Sequence, residues 1–171
     1  MRHSMAAPLF SAFFAACLAA AAQAQTATAT LAPTAGSMTA GTVSFTQKGN
    51  RVAVVAKVSG LTPGSHGFHI HEKGDCSAPD GMSAGGHFNP TGKPHGNPNL
   101  PDHHAGDMPM LLADASGNAS LSSDLEVITI GSAATDIIGK AVIVHKDPDD
   151  FTTQPTGNSG ARVACGVIRN G

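Results

Sequence analysis

An all-β fold, an eight-stranded Greek-key β-barrel with two long functional loops, is what this sequence predicts. Three observations lead there. Apolar and polar residues alternate through several short runs, the period-2 signature of strands with one buried face. Tight turns separate those runs, drawn from 20 Gly and 11 Pro in 171 residues. No segment shows the 3.6-residue period of an ordinary helix, and no internal repeat is present. Evenly spaced short strands with such turns suit a barrel or sandwich.

The first 24 residues read as an export leader. Arg2 supplies a positive charge, an apolar run covers residues 6–22, and Ala22-Gln23-Ala24 offers a small-x-small cleavage site. Ser11 interrupts the run, which is shorter than the roughly 20 apolar residues of a spanning helix. Phe14-Ala15-Ala16-Cys17 loosely resembles a lipoprotein box, so membrane attachment is expected only if Cys17 is lipidated. Residues 25–40 form a lead-in with a first strand at 27–31, and residues 41–171 form the main domain. Within it, 42–47 alternates through Val43 and Phe45, and 51–59 through Val52, Val54, Ala56 and Val58. Further strands are predicted at 66–72, 109–113, 119–125, 140–145 and 162–168.

Two stretches carry no periodicity, 73–107 and 146–161. A loop of the first kind is rare in a compact domain unless it is functional or cross-linked. Cleavage after Ala24 leaves Cys76 and Cys165, an even pair that reads as one disulfide in an exported chain. Charged residues make up 13 % of the chain and the formal charge is −2. That excludes a basic nucleic-acid footprint and a disordered polyelectrolyte.

Histidine is the unusual component. Nine are present, concentrated between His66 and His104. In Gly67-Phe68-His69-Ile70-His71, alternation places Phe68 and Ile70 on one face and His69 and His71 together on the other. His66 has the opposite parity and is expected to be a hydrogen-bonded structural residue. Gly85-Gly86-His87-Phe88-Asn89-Pro90, Pro94-His95-Gly96 and His104-Ala105-Gly106-Asp107 set ligand-type residues among turn formers, and His145 ends an apolar strand. Six imidazoles and one carboxylate exceed one tetrahedral zinc, so two metals are the economical reading. Imidazole favours zinc or copper over magnesium or calcium. His103 reads as a solvated neighbour of His104.

These motifs, with Gly160-Ala161-Arg162-Val163-Ala164-Cys165-Gly166-Val167-Ile168, closely resemble copper/zinc superoxide dismutase from about Gly41 to Ile168. The short interval from His71 to Cys76 resembles the bacterial periplasmic branch. The resemblance implies the immunoglobulin-like sandwich form of the barrel and a periplasmic location. It implies dismutation of superoxide to dioxygen and hydrogen peroxide, protecting the cell envelope. It implies copper on His69, His71, His87 and His145, and zinc on His87, His95, His104 and Asp107. His87 would bridge both ions as an imidazolate, serving catalysis along with Arg162. Asp149 would hydrogen-bond one imidazole on each ion, Thr156 would narrow the channel, and Cys76 and Cys165 would form the disulfide. Gln154 and Pro155 stand where many eukaryotic members of the family place charged residues, which leaves the identity of the steering charges open. The resemblance leaves monomer or homodimer open.

Two other functions account for fewer of these residues. A copper-buffering protein on the same fold has no use for Arg162, the zinc set or the bridge. A mononuclear zinc hydrolase leaves His69, His71 and His145 unexplained.

Overall fold

Alternation along the chain becomes a barrel because each strand has only one apolar face to bury. The computed structural model describes residues 24–131 and 133–171; the leader reading and Cys17 lie outside them. Among the described residues there are ten strands: β1 Thr26–Pro33, β2 Ala40–Lys48, β3 Arg51–Ser59, β4 Gly64–His66, β5 Phe68–His71, β6 Leu111–Ala113, β7 Ala119–Leu125, β8 Ala141–His145, β9 Arg162–Val167 and β10 Arg169–Asn170. No α-helix occurs among the described residues; a single 3₁₀ turn spans Met82–Ala84.

The strands pair antiparallel in the order β4-β6-β7-β3-β2-β1-β9-β8-β5, with β10 added beside β1. The two ends of that path, β4 and β5, are consecutive in the chain with only Gly67 between them. The sheet therefore curls into a nearly closed barrel. In the β2–β3 ladder, Val43 faces Ala56 and Phe45 faces Val54, all four buried. Full burial of a side chain the size of Val or Phe stabilises by about 1.5–3 kcal/mol. Ile70, Leu111, Ile130, Ile137, Val144 and Ile168 complete the interior.

The single strand expected over 66–72 is two strands. β4 pairs with β6 and β5 with β8, on opposite sides of the barrel seam, and Gly67 forms the corner. Its N–H donates to the Asp147 carbonyl at 2.9 Å rather than continuing one ladder. β10, with two residues, is too short to show any period. The lead-in is integral to the barrel, since β1 pairs with β2, β9 and β10.

Both long loops lie where they were expected, and the disulfide joins the first of them to β9. Cys76 and Cys165 are 89 positions apart and their Cα atoms 5.8 Å apart. Cys165 packs in a small second core with Ala84, Ala141 and Ile143. By chain entropy alone, closing so long a loop stabilises by about 4–5 kcal/mol.

Candidate metal centre

β5 is the free end of the sheet path, and the long loop uses its open edge. The Phe88 N–H donates to the Ile70 carbonyl, and the Ile70 N–H to the Gly106 carbonyl, each at 2.8 Å. The Glu72 N–H donates to Gly86 at 2.9 Å. Isolated bridges thus set His71 opposite His87 and His69 opposite Asp107. Gly106 is required there, because a Cβ on it would stand 2.2 Å from the Ile70 carbonyl oxygen. The loop lacks periodicity because it folds as two short edge segments, each only a few residues long.

Two groups of ligand-type atoms result, each gathered within 4.8 Å: His69, His71, His87 and His145, and His87, His95, His104 and Asp107. All seven residues are buried. In the first group, four buried nitrogens have no hydrogen-bond partner: His69 Nδ1, His71 Nε2, His87 Nε2 and His145 Nε2. Leaving one such group unpaired costs about 1–3 kcal/mol. Four of them converging is the signature of a site made for a cation.

The opposite nitrogen of each ring sets its tautomer. His69 Nε2–H donates to Asp149 Oδ2 at 2.7 Å, His71 Nδ1–H to the Gly85 carbonyl at 2.9 Å, and His145 Nδ1–H to the Gly160 carbonyl at 3.2 Å. Each ring therefore presents a lone pair inward. Burial pushes His145 down to about 3, His87 to about 4, and His69 and His71 below the ordinary imidazole range. These rings are neutral, as metal ligands must be.

His87 turns its other nitrogen to the second group, where Nδ1 lies 2.8 Å from Asp107 Oδ1. His95 Nδ1 lies 3.1 Å from the same oxygen and His104 Nδ1 3.5 Å. Burial opposes the Asp107 charge, but contacts from His104, His87 and His95 outweigh it and hold this carboxyl well below the usual range. For His95 burial acts downward, and Asp107 and Asp149 reverse it, to about 9. Asp149 spans the two groups, with Oδ2 on His69 and Oδ1 on His95 Nε2 at 2.9 Å.

A cavity of about 470 Å³ opens onto the first group, lined by His71, His145, Arg162, Thr156, Asp80 and Met82 among others. Arg162 Nη1 donates to the Gly81 carbonyl at 2.7 Å and Nη2 to the Gly85 carbonyl at 2.6 Å. A separate groove of about 500 Å³, lined in part by Leu100, His103 and Leu125, holds none of the metal-group residues. His66 is buried, with Nδ1 against the His145 carbonyl at 2.9 Å and Nε2 against that of Thr62 at 2.8 Å. His103 departs from expectation. It is 6 % exposed, and its Nδ1–H donates to the His104 carbonyl at 2.6 Å, so it braces its neighbour and is not solvated.

The barrel thus carries two buried groups of ligand-type residues, with His87 in both, each able to hold a metal ion. Residues 39–168 match the family model of copper/zinc superoxide dismutase. The chain belongs to that family: it is a superoxide dismutase, an oxidoreductase acting on superoxide, and copper and zinc are the family's metals.

Proposed function

We propose that His69, His71, His87 and His145 hold copper, that His87, His95, His104 and Asp107 hold zinc, and that His87 serves both as an imidazolate bridge. The observation that carries this is the quartet of unpartnered buried nitrogens, one of them on a ring whose second nitrogen faces the other group. Copper supplies a one-electron couple with both states accessible, and zinc a redox-inert charge.

The chain's own residues do the rest. Arg162, on the cavity wall, attracts superoxide and holds it by a charge-assisted hydrogen bond. Asp149 fixes the orientation of His69 and His95 together. Dismutation converts two superoxide anions and two protons to one dioxygen and one hydrogen peroxide. His87 Nε2 is the atom placed to hold one of those protons in transit, while Nδ1, on the Asp107 side, keeps the ring in position.

The same proposal places the enzyme in the periplasm as a bacterial-type member of the family, protecting the cell envelope. Its supports are the leader-like residues 1–24 and the Cys76–Cys165 bond, which persists in oxidising compartments. Metal analysis of the purified, reconstituted protein is expected to return one copper and one zinc per chain, with a visible copper(II) band. The same sample should consume superoxide in a pulse assay. A protein that holds a single ion, or holds both and leaves superoxide to its uncatalysed decay, contradicts the proposal.

A further inference from the structure

We propose that Gln154 is a positioning residue for the zinc half of the centre, clamping the backbone of His95 and tying loop 146–161 to that ligand. The inference rests on the zinc assignment above. Gln154 Oε1 accepts the His95 N–H at 2.9 Å, and Gln154 Nε2 donates to the His95 carbonyl at 2.9 Å. Nε2 also reaches the Thr152 carbonyl at 3.2 Å. His95 stands in a stretch with no regular strand, so no ladder satisfies its backbone. A carboxamide carries donor and acceptor in one plane, and here it takes the place of a paired strand residue 59 positions away.

The same loop holds His95 from the ring side, through Asp149 Oδ1. The turn between these two holds is itself braced. Asp150 accepts the N–H groups of Thr152 and Thr153, and the Gly157 N–H donates to the Thr153 carbonyl at 2.7 Å. Gly157 has φ 68°, and a Cβ there would fall 1.8 Å from Asp149 Oδ1 and 2.5 Å from His95 Nε2. The loop is thus packed directly onto the Asp149–His95 contact. It also contributes Thr156, Gly160 and Ala161 to the wall of the cavity before the quartet. Gln154 therefore fixes the backbone from which the His95 ring is aimed, and it couples that ligand to the channel wall.

The test uses the two-metal enzyme and the variant Gln154→Met, which keeps the length and loses both bonds. Zinc is expected to pass to a chelator about tenfold faster, the factor two neutral hydrogen bonds supply together. Copper retention stays at the wild-type level, the His95 amide exchanges its hydrogen faster, and the visible bands of cobalt(II) in the zinc position shift. Gln154→Glu, which keeps the acceptor and loses the donor, falls between. Wild-type zinc release with unshifted cobalt bands overturns the clamp, and so does equal acceleration of copper and zinc loss. Zinc that stays bound in His95→Ala shows instead that the ligand assignment beneath it is wrong.

Discussion

A His145→Ala enzyme supplied with both metals is expected to keep zinc, lose copper and consume superoxide at least about 100-fold more slowly, beyond the cost of losing an outer-shell partner. His145 supplies one of the four converging nitrogens and no atom to the second group. Its removal leaves three neutral imidazoles around an opened site, with the His66 contact to the position-145 carbonyl intact because that bond uses the backbone. His104→Ala is the reciprocal case: zinc is lost and copper stays. Metal content and superoxide consumption measured on the same samples check both. Loss of both metals from each variant would show that the two groups are not separate positions.

Arg162→Glu is expected to lower the second-order rate constant by about tenfold or more at low salt, within the range that steering provides. Both metals should remain bound. Its guanidinium is held by the Gly81 and Gly85 carbonyls, and Gly85 also accepts the His71 Nδ1–H. The cation is thereby fixed relative to a quartet ligand. Arg162→Lys keeps the charge but cannot span both carbonyls, so its loss is smaller. With a formal chain charge of −2, attraction of an anion has to be local, acting over a Debye length of about 8–10 Å. Asp80 on the same cavity wall partly offsets it. The wild-type rate is expected to fall as salt is added; a flat or rising rate contradicts the steering role.

Strands were legible wherever alternation ran long enough. Residues 51–59 and 119–125 form β3 and β7 as expected, because nine and seven residues display a period clearly. The corner at Gly67 was not legible, since a hydrogen bond to Asp147 decides it and no local pattern records that partner. His66 was expected as a bonded structural residue and is one, although the corner at Gly67 puts it on a different strand from His69 and His71, so its bonds and not its parity hold it. His103 was misread as solvated because its burial and its bond to the His104 carbonyl come from how an aperiodic loop folds, which no local pattern records. The structure brings together the six histidines and Asp107 that motif spacing and family resemblance singled out. The Gly85 carbonyl, Asp80 and the Gln154 carboxamide were not foreseen. Their roles come from the folding of aperiodic loops, where one residue's neighbours are far away in sequence.

That one ring, His87, serves both metal positions is tested most directly by copper(II) paramagnetic resonance, with zinc and then cobalt(II) in the position of His95, His104 and Asp107. An imidazolate joined through Nδ1 and Nε2 couples the two paramagnetic ions, so the copper signal present with zinc should vanish or broaden strongly with cobalt. A copper signal unchanged by cobalt, with both ions shown to be bound, would contradict a shared His87.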